Sequence, residues 1–372
     1  MDDRPKGPMS GSFVYELASV HTLVEQANLG NDQGIYAVPC YLVLGEPGSG
    51  RSTVIRSMNL TWPVSGGQLP IGVPGARCSY WLAKEALFIE PEASVLGPRR
   101  EPAELSRLCD ELRRAREREP IDGILLVLSI AEFVELDEQG LDAYANRIRA
   151  YLVEVGRALH ADVPTYVVLS RYDTLWGFAE VFQWTAERGR EEPWGFTLPL
   201  ETSPDNAGPR ILQELEGLNA RLESTCLARV SSEDAPEART RAFQHLAEVR
   251  ALMPRLRQLF GVIAMANAFE RAPWLRAVAI GSAMPGMGDR LRAGVTRFIN
   301  MGLAQPPNVA VAMRPGGLPI HATLRAVVLP ERDIVPLRQR WRDDRFTLFC
   351  FVGGLLLLLA AGLTEIILRY AM

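Results

Sequence analysis

Apolar residues along this chain fall into short unbroken runs and stripes of helical spacing. Phe13, Leu17, Val20, Leu23 and Val24 share one face of a helix over residues 12–28, which ends near Gly30 and Gly34. Residues 38–44 form an apolar run that predicts a buried strand, and a helix begins over 52–59. Two short runs, 79–82 and 85–90, are separated by Ala83-Lys84 and predict a hairpin. Leu105, Leu108 and Leu112 stripe an Arg/Glu-rich helix over 101–119, whose charges make a solvated face. Residues 123–130 read GILLVLSI, a run with no polar side, which predicts a parallel strand covered on both faces. Tyr144, Ile148, Leu152, Val155 and Leu159 mark a helix over 139–160, and residues 164–170 another buried strand. The alternation β-α-β-α-β predicts an α/β fold with a doubly wound sheet.

The second half changes character. Residues 206–259 are helical in pattern, broken by a polar stretch at 231–237, and 274–281 read as a further strand. A helix is predicted over 286–303 and a Pro/Gly-rich loop over 306–319. Residues 322–328 carry an apolar face before Pro330. Residues 346–363 are eighteen consecutive uncharged residues, extended by Ile366–Leu368 beyond Glu365. At 1.5 Å per residue this run covers about 27 Å, close to the hydrocarbon thickness of a bilayer. Arg332, Arg338, Arg340, Arg342 and Arg345 precede it and only Arg369 follows, which predicts a cytoplasmic body and a single-pass tail anchor. The expected division is an N-terminal helix (1–34), an α/β domain (35–205), a helical extension (206–268) and a last strand with its helical part (269–330). An Arg-rich neck (331–345) and a transmembrane helix (346–368) complete it.

Composition narrows the function. With 48% apolar and 23% charged residues the 372-residue chain is globular, and a net charge of −4 gives no electrostatic footprint for nucleic acid. Five cysteines stand apart with no CxxC pair, and four histidines show no metal-ligand spacing. That pattern fits a reducing compartment, with nucleotide-bound Mg²⁺ as the one metal to expect.

The chemistry-bearing motif follows the first strand. Gly45-Glu46-Pro47-Gly48-Ser49-Gly50-Arg51-Ser52-Thr53 has phosphate-loop spacing, with Arg51 where a lysine is required. Glycines let backbone N–H groups wrap a polyphosphate, and Ser52 stands where a hydroxyl would hold Mg²⁺. An arginine is a larger planar fork and does not replace the compact ammonium freely. Antiparallel pairing of the second and third strands would place the domain in the GTPase branch of the P-loop NTPase fold. At the end of the hairpin strand, Glu90 stands where an Asp-x-x-Gly aspartate would help hold the metal, and no glycine follows. After residues 164–170, Ser170-Arg171-Tyr172-Asp173 stands where a guanine-reading Asn/Thr-Lys-x-Asp would lie; Asp173 is either a base-reading group or a loop aspartate. Ser282-Ala283 resembles a base-packing loop.

Motifs in order carry a family resemblance. Pro39 to Gly45 with the phosphate loop, then GARCSYWL (75–82), PIDGIL (120–125), SRYDTLWGF (170–178), PWGFTLP (193–199), FERAPWLR (269–276) and LRAVVLPER (324–332) together resemble the cytoplasmic domain of the IcmF/TssM family of type VI secretion inner-membrane proteins. The resemblance spans roughly residues 15–368. It implies a small-GTPase-like domain with a helical extension in an inner-membrane complex, with baseplate and other secretion proteins as partners. Against the family pattern the chain lacks a membrane hairpin before this domain and a periplasmic region after the anchor. Two functions fit: a partner-docking structural or regulatory component with a degenerate P-loop and no catalytic residues, or a tail-anchored switch binding GTP or ATP with Mg²⁺ and hydrolysing it.

Overall fold

The computed structural model describes residues 13–26, 36, 38–62, 77–97, 100–101, 103–187, 194–233, 235–266, 270–282, 323–332 and 334–335. The predicted helix at 286–303, the loop at 306–319, most of the Arg-rich neck and the transmembrane helix at 346–368 lie outside the described residues. Among the described residues no helix is long and apolar enough to cross a membrane.

Seven strands form one sheet: β1 (Cys40–Leu44), β2 (Cys78–Leu82), β3 (Leu87–Pro91), β4 (Gly123–Ser129), β5 (Pro164–Ser170), β6 (Gly195–Thr197) and β7 (Trp274–Ile280). Their order is β2-β3-β1-β4-β5-β7-β6. The five inner strands are parallel, while β2 and β6 run antiparallel at the two edges. The antiparallel β2–β3 pair is the arrangement expected from the hairpin, although its connection is the four residues 83–86 and not Ala83-Lys84 alone.

Every residue of β1, β4, β5 and β7 is buried, and alternate positions serve opposite faces. On one face Tyr41, Val43, Phe88, Leu125, Val127, Tyr166 and Val168 pack with Val54, Ile55 and Met58 around α2 (Arg51–Ser57). On the other, Leu42, Leu44, Leu126, Leu128, Val167 and Leu169 pack beneath α1 (Phe13–Gln26), α3 (Glu104–Ala115) and α5 (Glu138–Leu159). A four-residue α4 (Ile130–Phe133) caps β4, and α6 (Phe178–Glu187) follows β5. The helical extension is an antiparallel pair, α7 (Pro204–Ser232) and α8 (Pro236–Ile263), joined across the predicted polar break.

Two polar anchors fasten the ends of the described chain. Glu16 of α1 is fully buried and accepts hydrogen bonds from the Arg77 N–H and the Tyr80 hydroxyl, both at 2.9 Å. Near the other end, Leu324 and Val328 join the α2-side core, and the Tyr41 hydroxyl donates to the Val328 carbonyl at 2.8 Å. Glu331 takes a two-pronged contact from Arg276 (2.6 and 3.0 Å) and a hydrogen bond from Tyr166 at 2.9 Å.

Candidate phosphate-binding site

The carboxyl ends of β1, β4 and β5 bring three loops together, the place where open parallel sheets bind ligands. The first is the predicted phosphate loop. Gly45 has φ +145°, and a Cβ there would lie 2.3 Å from the Val127 carbonyl oxygen of β4, so only glycine lets the chain pass. Gly48 (φ +93°) and Gly50 (φ +90°) are left-handed, and the Ser49 N–H closes a turn onto the Glu46 carbonyl at 3.0 Å. Gly45, Glu46, Pro47, Gly48, Ser49 and Gly50 therefore form the strand-to-helix loop, and Arg51, Ser52 and Thr53 open α2, as the spacing predicts.

Arg51 and Ser52 both face Glu90. The Ser52 hydroxyl donates to the Glu90 carboxylate, 2.8 and 2.9 Å from its two oxygens, and the Trp81 indole N–H donates to Oε2 at 3.0 Å. Arg51 Nε lies 3.6 Å from Glu90 Oε1, with both side chains buried. Burial lowers the pKa of the Arg51 guanidinium and the Glu90 charge raises it. A serine hydroxyl beside a carboxylate is a donor set that suits a hard cation such as Mg²⁺. The guanidinium beside the same carboxylate already supplies positive charge there and works against a divalent ion.

Further groups close on this loop from α5, from α4 and from the turn after β5. Glu46 is buried and held by the Arg147 guanidinium and, at 3.4 Å, by the Tyr151 hydroxyl, both from α5. Glu132 of α4 lies against the loop, since a Cβ on Gly48 would sit 3.8 Å from its Oε1. Burial raises the Glu132 pKa to about 7; Arg171, Arg147 and Arg51 draw it down and Glu46 adds to it. Past β5 the Ser170 hydroxyl donates to the Ser49 carbonyl at 2.7 Å, and Arg171 donates to the Gly48 carbonyl at 2.5 Å. Asp173 sits on the short turn Tyr172–Thr174; burial raises its pKa while the Ser282 hydroxyl and the Arg171 charge lower it. Asp173 and Ser282 lie side by side at this end of the sheet, and Ala283 lies outside the described residues.

Residues 98–354 match the IcmF-related N-terminal domain. The chain belongs to this family. This IcmF-related chain is also 27% identical over 294 residues to the type VI secretion system component TssM1 of Pseudomonas aeruginosa, across 75% of the chain and 27% of that protein. It spans about a quarter of the length of that relative. Among solved structures it is similar to a GTP-binding protein from Sulfolobus solfataricus in complex with GDP, with 16% identity and a TM-score of 0.23. That likeness covers 43% of this chain and 47% of the other. A point variant of SsGBP gives 15% identity and a TM-score of 0.25, over 48% and 57%. The strand order of the IcmF-related sheet, and not these neighbours, identifies its P-loop-like α/β fold.

Glu132, Arg147 and Tyr151 are the site residues that motif reading missed. Glu132 carried one usable signal, a carboxylate three residues after the wholly apolar run of β4, at the ligand-binding edge of the sheet. Arg147 and Tyr151 sit one turn apart on a helix striped for the core and carry none.

Proposed function

We propose that this chain is a structural and regulatory component of a type VI secretion-like membrane complex. Its degenerate P-loop domain lies on the cytoplasmic side of the bacterial inner membrane and docks partner secretion and baseplate proteins. One observation carries the reading: Arg51, at the lysine position, is buried against Glu90. A cation serving a β/γ-phosphate must be free to reach it. Here the Nε side of that guanidinium is turned to Glu90 inside the fold, which holds the charge away from a transferring phosphoryl group, and Glu90 brings neither the shorter carboxylate nor the following glycine. The family and the likeness to TssM1 support the secretion context. The apolar run at 346–363 with its preceding arginines supports a single-pass anchor.

The competing reading is a GTP- or ATP-binding switch with Mg²⁺ held through Ser52 and Glu90 and the base read by Asp173. It is favoured by the Ser52–Glu90 hydrogen bond and the Asp173–Ser282 juxtaposition. Phosphate release from GTP and ATP by the full chain in mild detergent with Mg²⁺ separates the two. The scaffold predicts release at background, and secretion in cells carrying Arg51→Ala at the wild-type level. Turnover above background that Arg51→Ala abolishes would sink it.

A further inference from the structure

Five buried polar atoms around the glycine loop have no partner: Ser49 Oγ, Arg51 Nη1, Glu132 Oε2, Tyr144 Oη and Arg171 Nε. Buried polar atoms are nearly always hydrogen-bonded, so five orphans around one loop mark a place built for a polar occupant. Ser49 is fully buried and Arg51 more than nine-tenths buried, so open solvent does not satisfy them.

The charges around that place are balanced, with Arg51, Arg147 and Arg171 matched by Glu46, Glu90 and Glu132. Two of the carboxylates are committed, Glu90 to Ser52 and Trp81, and Glu46 to Arg147 and Tyr151. Glu132 is the one left over, with one oxygen against Gly48 and the other lacking a donor. A phosphate and an ionised Glu132 repel each other on this loop. A protonated Glu132 removes that repulsion, leaves one arginine charge unmatched and supplies an O–H that can donate to a phosphate oxygen.

We infer that Glu132 is the resident anion of this loop, and that a ligand with a diphosphate group, such as a nucleoside di- or triphosphate, displaces its charge as Glu132 takes up a proton from solvent. The inference rests on reading the loop as a scaffold that binds without turnover, because the ion it trades is a carboxylate and not a catalytic cation. The charged and titratable groups facing Glu132 are Glu46 from the loop, Arg51 from α2, Tyr144 and Arg147 from α5, and Arg171 after β5. Half-buried among them, Glu132 sits near the midpoint of its titration at neutral pH, so proton and ligand exchange is accessible there.

Calorimetric titration of the full chain, in mild detergent, with inorganic pyrophosphate and with GDP at pH 6, 7 and 8 tests this. If only the protonated form binds, wild-type affinity measured against that of Glu132→Gln tightens about tenfold from pH 8 to pH 6. Glu132→Gln should bind both probes at each pH, its remaining pH response being that of the ligand's own ionisation. Proton uptake on binding at pH 7.5 should be larger in the wild type than in the variant, the excess being the proton taken by Glu132. Ligand ionisation is common to both proteins and cancels in the comparison. Equal pH dependence in the two proteins overturns the inference, and so does a variant that folds, as its unfolding transition reports, yet binds neither probe; the orphaned atoms then hold water. Neither result bears on the scaffold reading, which fails only on phosphate release.

Discussion

At the scale of single residues, two buried ionisable groups give the chain opposing pH responses. His245 is fully buried inside a ring of Tyr172, Phe178 and Phe182. Its Nδ1 faces the Trp176 carbonyl at 2.8 Å and must donate there, so Nε2 accepts from the Tyr172 hydroxyl at 3.3 Å. The ring is satisfied as the neutral species, and burial lowers its pKa from 6.5 to about 4. Between those values the unfolded chain binds the proton and the folded chain does not, so stability falls as pH falls. The loss reaches about 3 kcal/mol by pH 4, read as a slope in urea denaturation midpoints that His245→Gln flattens. Glu132 acts in reverse. Its pKa is raised from 4.5 to about 7, so the folded chain holds the extra proton and stability is lost as pH rises through that window. Glu132→Gln should therefore stabilise the protein at pH 8 by about 1–2 kcal/mol, allowing for partial solvent screening, with the gain gone at pH 4. Gly45→Ala should cost about 3 kcal/mol or more in the same assay, because its methyl has no room beside Val127 and its φ is strained.

At the scale of elements, the segment around residues 324–332 is held on the sheet by more than apolar contact. Arg276 is 1% exposed, and Glu331 is its carboxylate partner. Removing one member of such a pair strands a buried charge, so Glu331→Ala should destabilise by about 3 kcal/mol in urea unfolding. Replacing both, as Arg276→Met with Glu331→Leu, should cost far less. The strands that were legible in the sequence are those the fold covers on both faces. GILLVLSI and the run at 164–170 had to be apolar throughout, and the helices at 138–159 and 204–263 announce themselves by spacing. β6 was not legible, since three residues cannot show an alternation, and its role comes from pairing with β7, some eighty residues later. α6 escaped because Phe178, Val181 and Phe182 share too short a stripe between a Trp-Gly turn and the residues beyond. The site divides in the same way. Motif spacing found residues 45–53, Glu90 and Asp173, because a phosphate loop is local chemistry. Glu132 reaches the loop through sheet order, marked only by its place just after the apolar run of β4, and Arg147 reaches it from α5 with no local mark at all.

At the scale of the molecule, the sheet order puts the glycine loop and the last described turn on strands that are neighbours in space. β1 ends in the loop, and its Tyr41 holds Val328. If the chain is anchored by residues 346–368, a protease added outside intact cells should leave the body of the chain undigested, and cleavage there would refute the cytoplasmic placement. The attachment through Tyr41, Tyr166 and Arg276 has a mechanical meaning as well. A pull applied at Val335 is borne first by side chains rooted in β1, β5 and β7, so the load passes directly into the parallel strands. The sheet then works as a tie-plate: a tug at Val335 is felt in the strand that ends in the glycine loop.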